Sequence, residues 1–286
     1  MLTETRDFTT EDMDYVHHGD RSLKLRLFKP AGKGPFPLVI DLHGGAWNKG
    51  DLTGCQNRDE VLAQAGLAVA ALDFRQAADG YLACMADINY ATRWVKAHAA
   101  ELDIDPGRVG LCGQSSGAHL AMLSAMRPWD ERYCEIALKG DASSIDATVK
   151  CVGMAWPVMN PLSRYRHALR CRAAGGEQAK WVTDIPESHD RYWVTEENME
   201  EGNPVTALEK GEKVQLPPAL WVQGKPDIVH DYRDIDTNQE VNEPERFVNN
   251  YRKAGGDIEL LYIDYPARET VLSHDPLARF FRKHLS

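Results

Sequence analysis

The sequence predicts an α/β architecture, a mostly parallel sheet of eight strands flanked by helices, and three observations carry that expectation. Short apolar runs recur at Pro37–Leu42, Leu67–Leu72 and Val109–Cys112, of the kind found in strands covered on both faces. A helical period separates the last two, with Met85, Ile88, Ala91, Thr92, Val95 and His98 falling on one side of the segment from Cys84 to Glu101. Strand and helix therefore alternate, the pattern that yields parallel sheets.

The first strands depart from this alternation. Residues Met13–His18 and Ser22–Phe28 alternate in polarity around Gly19-Asp20 and read as a hairpin, giving the sheet an antiparallel start. After Cys112 a helix is expected from Ser116 to Met126. Strands follow at Val149–Trp156 and Ala219–Gln223, then a helix at Pro244–Ala254, a strand at Ile258–Asp264 and a closing helix at Pro276–His284, begun by its proline. Between Pro157 and Val214 there is no clear buried strand, and Tyr165, Trp181, Tyr192 and Trp193 are dispersed among charges. A long insertion between core strands reads as a lid or cap within one domain spanning residues 1–286.

Composition narrows the function. A hydrophobic fraction of 43% with 27% charged residues is enough for a large core and excludes disorder. The net charge of −10, without a Lys/Arg cluster, argues against nucleic acid as partner. No apolar run approaches the roughly 18 residues of a membrane span, and the first 21 residues lack a basic-then-apolar leader, so a cytoplasmic enzyme without membrane partner is expected. Six cysteines occur without a C-x-x-C pair, and no histidines have metal spacing, so neither a metal nor an organic cofactor is expected.

The chemistry concentrates at Gly113-Gln114-Ser115-Ser116-Gly117, which links the strand ending at Cys112 to the helix that follows. A strand-to-helix turn of the form G-x-S-x-G exposes its central serine above the sheet, and the helix N-terminus offers free N–H groups to a developing anion. Ser115 is therefore the expected nucleophile, and Ser116 the weaker candidate. Upstream, the first core strand ends in Leu42-His43-Gly44-Gly45-Ala46-Trp47, where glycines let backbone amides approach a ligand.

Together the two motifs resemble the lipase/esterase branch of α/β-hydrolase fold enzymes that carries a His-Gly-Gly motif, the group containing hormone-sensitive-lipase-like esterases. The Gly-Gly-x-Trp form is closer still to its cap-poor carboxylesterases and kynurenine formamidases. The resemblance implies the α/β-hydrolase fold and an oxyanion hole from the amides of Gly45, Ala46 and Ser116, with Gly44 shaping the turn and His43 anchoring it. It also implies a base in the loop after the last strand, where His274 stands, and an acid three residues after the glycine that ends strand Ala219–Gln223, where Asp227 stands. Asp231, Asp234 and Asp236 compete with Asp227, and His284 reads as a surface residue at a helix end. His119 is expected to pack on its helix, and His230 to contribute to the pocket rim.

The expected mechanism is acylation of Ser115, with His274 as base and Asp227 orienting it. Pocket walls are expected from Trp47, Trp156 and Met159. The substrate class is a small or medium carboxylic ester, with a formamide or other amide as the alternative and a non-catalytic binding protein as the reading from another class. A homodimer through the edge of the last strand is possible on this reading.

Overall fold

The computed structural model describes residues 5–138 and 144–286. Strands β1 (Phe8–His18) and β2 (Arg21–Pro30) form the antiparallel hairpin, turning at Gly19. Then come β3 (Phe36–Leu42), α1 (Gln56–Gln64), β4 (Ala68–Leu72), α2 (Tyr81–Ala97), α3 (Ala99–Leu102), β5 (Ile104–Gln114), α4 (Ser116–Met126) and β6 (Val152–Ala155). Five helices follow before the next strand: α5 (Pro161–Ala174), α6 (Gly176–Trp181), α7 (Ile185–Trp193), α8 (Glu196–Glu201) and α9 (Pro204–Glu209). The chain closes with β7 (Ala219–Lys225), α10 (Glu243–Lys253), β8 (Ile258–Asp264) and α11 (Val271–His284).

All eight strands form one sheet in the order β1-β2-β4-β3-β5-β6-β7-β8. Strand β2 runs antiparallel to both β1 and β4, and every pairing from β4 to β8 is parallel. The crossover helices cover both faces, which is why β3, β4 and β5 read as unbroken apolar runs: Leu38, Val39, Ile40, Val69 and Leu111 are all fully buried. One face packs Leu38, Ile40, Leu111 and Met154 against α2 and α4, and the other packs Val39, Cys112 and Val222 against α1 and α11.

Two elements differ from expectation. Helix α1 has no apolar period because its buried face includes Arg58 and Asp59. Arg58 makes a two-pronged ion pair with Asp41 of β3, at 2.8 and 2.7 Å, and its third nitrogen donates to Gln114, the residue before Ser115. Helix α11 begins at Val271 rather than at Pro276. Thr270 caps it by accepting from the Leu272 amide, so Pro276 lies inside the helix and the residues before it join the first turns.

The insertion between β6 and β7 is helical, with α5 and α9 each begun by a proline behind an asparagine cap. Among the described residues no helix is long and apolar enough to cross a membrane, and all six cysteines are free thiols.

Candidate active site

The parallel strands β3, β5 and β7 bring three loops together at their C-terminal ends, the position at which open α/β sheets bind ligands. At the end of β5 the chain turns into α4 through Ser115, whose backbone adopts φ 52°, ψ −116°. A non-glycine residue there costs roughly 1–3 kcal/mol and persists only where its surroundings enforce it. They do so here: the Ser115 amide donates to the Ala155 carbonyl of β6 at 2.9 Å, and its own carbonyl accepts from His119 at 3.2 Å. Gly117 is required by close approach, since a Cβ on it would stand 2.2 Å from the Leu42 carbonyl oxygen at the end of β3.

The Ser115 hydroxyl lies 3.0 Å from Nε2 of His230, and Nδ1 of His230 lies 2.9 Å from Oδ2 of Asp227. An ionised Asp227 can only accept, so Nδ1 carries the proton and Nε2 presents its lone pair to the serine hydroxyl. Asp227 and His230 come from one turn after β7. The Asp231 amide donates to the Asp227 carbonyl at 2.7 Å, closing a helix-like turn that sets residues three apart on one side.

Asp227 is also held by the amides of Val229 and His230, by Gln223 and by Arg268, whose Nη1 is 3.2 Å from Oδ2. Burial raises its pKa, but the charge and hydrogen bond of His230, then Arg268, outweigh burial and hold the carboxyl at about 2. For His230, burial lowers the pKa and Asp227 opposes it, while Arg164 and Arg268 add to the lowering. The imidazole is thus neutral at neutral pH, the form a general base needs.

The geometry places His230, not the expected His274, beside Ser115. His274 hydrogen-bonds neither Ser115 nor Asp227. It lies in the first turns of α11, 3% exposed, with Nε2 lacking a hydrogen bond and 3.8 Å from the Glu269 carboxylate. The physical reason is the early start of α11, which converts the expected loop into helix and fixes His274 on the buried side with Leu277, Ala278 and Phe281. In its place the segment after β8 sends Arg268 to Asp227, with its guanidinium 3.6 Å from the ring centre of Tyr265 and 5.0 Å from that of Trp156. The D-x-x-H spacing of Asp227 and His230 was the sequence signal for the observed pair.

The competing carboxylates are engaged elsewhere: Asp231 with Asn242 and Lys225, Asp234 with Arg246, and Asp236 with Arg170. His284 packs on Phe280 at the end of α11. His43 stacks on Phe74 and donates from Nδ1 to the Gly44 carbonyl at 2.8 Å, pinning the turn after β3.

In that turn Gly45 has φ 118°, and a Cβ there would meet the Lys49 carbonyl. Ala46 and Trp47 also have positive φ, 51° and 63°. The amides of Gly45 and Ala46 donate to no acceptor among the described residues, nor does that of Ser116 in the first turn of α4. Trp47, Trp156 and Met159 are buried, at 2%, 3% and 2% exposure. Trp47 stacks on Tyr192 and donates to Nδ1 of His119 at 3.3 Å, while Nε2 of His119 donates to the Gly202 carbonyl at 2.7 Å. His119 thus joins α4 to the helical insertion, and burial lowers its pKa to about 4. No cluster of three or more metal-ligating side chains occurs among the described residues. A cleft of about 610 Å³ lined mainly by β8 and α11 includes none of Ser115, Asp227 and His230.

The profile of the BD-FAE family matches residues 25–234, well over half of the chain and including Ser115, Asp227 and His230. The chain belongs to the BD-FAE family. Curated proteins similar to this family member include a probable carboxylic ester hydrolase, LipM, of Mycobacterium tuberculosis, 30% identical over 132 residues that cover 42% of this chain and 31% of that protein. Versiconal hemiacetal acetate esterase of Dothistroma septosporum is 29% identical over 150 residues, 51% of this chain and 44% of its own. The matches thus span less than half the length of these relatives. Among solved structures, carboxyl esterase 2 of Tuber melanosporum superposes with a TM-score of 0.74 at 17% identity, over 99% of this chain and 90% of that one. An esterase of Pyrobaculum calidifontis gives 0.74 at 20% identity, over 98% and 85%. The shared fold is the α/β-hydrolase fold.

Proposed function

We propose that this BD-FAE family member is a carboxylesterase-type serine hydrolase acting through an acyl-enzyme on Ser115, with His230 as general base and Asp227 as its orienting acid. The observation that carries the reading is the continuous chain from Ser115 Oγ through His230 to Asp227, at 3.0 and 2.9 Å. Serine is a weak nucleophile until a neighbouring base takes its proton, and that base works best in one tautomer and neutral before reaction.

In the first step Ser115 Oγ bonds to the ester carbonyl carbon as its proton passes to Nε2 of His230. The carbonyl oxygen becomes an oxyanion held by the amides of Gly45, Ala46 and Ser116, with the N-terminus of α4 favouring the charge. Collapse breaks the bond to the alcohol oxygen, which takes the proton from Nε2 and leaves. Water then attacks the acyl carbon, gives a proton to His230, and the acid departs as Ser115 regains its proton. Asp227 stays ionised throughout and stabilises the imidazolium. The esterase names of the similar proteins support an ester as substrate, and the dense aromatic packing around Trp47 supports a small or medium acyl group.

The test is labelling with a fluorophosphonate probe and turnover of p-nitrophenyl acetate, with N-formylkynurenine as the amide comparison. Labelling and turnover are expected in the native protein and absent in Ser115→Ala. Labelling that survives in Ser115→Ala removes the serine from the mechanism, and preferential turnover of N-formylkynurenine moves the substrate class to formamides.

A further inference from the structure

Four arginines are buried beyond nine-tenths: Arg58, Arg93, Arg164 and Arg246. Three have acceptors. Arg58 is paired with Asp41, Arg246 with Glu209, Asp234 and Glu243, and Arg93 donates to Asn89 and to the Ile136 carbonyl. Arg164, 3% exposed, makes no side-chain hydrogen bond or ion pair among the described residues, and its Nε and Nη1 are buried without a partner. In a chain of net charge −10 a lone buried cation is conspicuous, because carboxylates to pair with it are abundant. Burying such a charge without an acceptor is costly, and the cost is recovered when an anion arrives.

Its position says which anion. Arg164 is in the first turns of α5, and its guanidinium lies 5.6 Å from the ring centre of Trp47, the residue that follows the Gly45–Ala46 turn. One turn further along α5, His167 donates to the Ile228 carbonyl at 2.9 Å and stacks on Tyr232 at 4.0 Å, fixing the helix against the turn that carries Asp227 and His230. Arg164 is thus bracketed between the oxyanion turn and the acid–base turn. Its charge is felt at the acid–base turn, lowering the pKa of His230 after the larger effects of burial and Asp227. Burial lowers its own pKa only to about 10, so the guanidinium remains charged at neutral pH.

We propose that Arg164 is a specificity residue that recognises a carboxylate on the substrate, so that the enzyme prefers esters carrying a free acid group over their neutral counterparts. The proposal rests on Ser115 being the reacting centre. With no hydrogen bond from its nitrogens among the described residues, the planar guanidinium offers a parallel donor pair to one carboxylate, Nε with Nη2 or Nη1 with Nη2, a geometry that lysine cannot reproduce.

The test measures binding separately from catalysis. Ser115→Ala protein is titrated calorimetrically with monomethyl glutarate against dimethyl glutarate, which places the charge on the acyl side. Acetoxyacetate against its methyl ester places it on the alcohol side. In at least one pair the charged member is expected to bind about tenfold to a hundredfold more tightly, the usual worth of a charge-assisted hydrogen bond. The advantage should shrink with added salt, disappear in R164Q and return in part in R164K. Equal affinity within both pairs in the protein that keeps Arg164 overturns the proposal, whether or not R164Q folds. A preference that persists undiminished in a folded R164Q does the same. Ser115-dependent turnover of p-nitrophenyl acetate in the native protein reports separately on the reacting centre, so the two readings fail independently.

Discussion

Replacing each of two buried histidines separates the geometry seen here from the arrangement implied by motif order. In His230→Ala the serine loses the one side chain that hydrogen-bonds its hydroxyl among the described residues, a contact of 3.0 Å, and Asp227 loses the imidazole at 2.9 Å. Removal of a triad base from serine hydrolases lowers kcat by about 10⁴-fold or more, or about 5.4 kcal/mol, with residual rate from the oxyanion amides and binding. The same loss is expected here, with p-nitrophenyl acetate as substrate and fluorophosphonate labelling slowed in parallel. Asp227 would keep Arg268 and two backbone amides as partners, so the fold should survive, and imidazole in the buffer should restore part of the rate. His274→Leu removes a ring whose Nε2 has no hydrogen bond and leaves the three site residues untouched. Its kcat/KM is expected within about threefold of the native value, since about 0.7 kcal/mol covers such an indirect change. An inactive His274→Leu beside an active His230→Ala would refute the reasoning and return the base to the α11 segment.

Other outcomes follow from the same contacts. Because His230 must be neutral to accept the serine proton and its pKa lies below 6.5, kcat/KM should rise with pH through that depressed value and stay level above it. Arg268→Gln removes a cation that lowers both Asp227 and His230, so the acid limb of the pH profile should move to higher pH; an unmoved limb would deny Arg268 its influence. Arg58→Met leaves the Asp41 carboxylate buried without its partner and should cost about 3–5 kcal/mol in urea denaturation. Gly117→Ala forces a methyl toward the Leu42 carbonyl, and a loss of about 3 kcal/mol or more is expected from the same measurement.

Legibility in the sequence followed the physics of each element. Strands β3, β4 and β5 were readable because burial on both faces leaves no polar alternation, and Ser115 because its turn combines a glycine pair with a strand before and a helix after. The family resemblance implies an acid at Asp227, three residues after Gly224, and the structure sets it in contact with the serine's partner. Helix α1 was not visible, since the apolar period that marks a helix is replaced by Arg58 and Asp59 on the buried side. The start of α11 was placed five residues late because Pro276 is a common first residue of helices, whereas here the Thr270 cap decides the boundary. That shift carried the base with it. A loop can offer His274 to the serine, but a helix whose Leu277, Ala278 and Phe281 are buried holds it against the core.

The exchange has a structural consequence for how the site is built. Where a base is supplied from the loop before the last helix, the acid and base come from different strands, and their distance depends on how that helix packs. Here Asp227 and His230 belong to one turn closed by the 2.7 Å bond from the Asp231 amide, so their mutual geometry is local. On the proposed reading α11 serves as packing against β6, β7 and α1, and what reaches the site from beyond β8 is the charge of Arg268. A charge acts over several ångströms and tolerates small displacements, whereas proton transfer requires hydrogen-bond distance. Substitutions that loosen α11 without unfolding it, such as Phe281→Leu, should therefore lower thermal stability by about 1 kcal/mol while leaving kcat on p-nitrophenyl acetate nearly unchanged. A proportional fall in kcat would show that α11 still sets the position of the base.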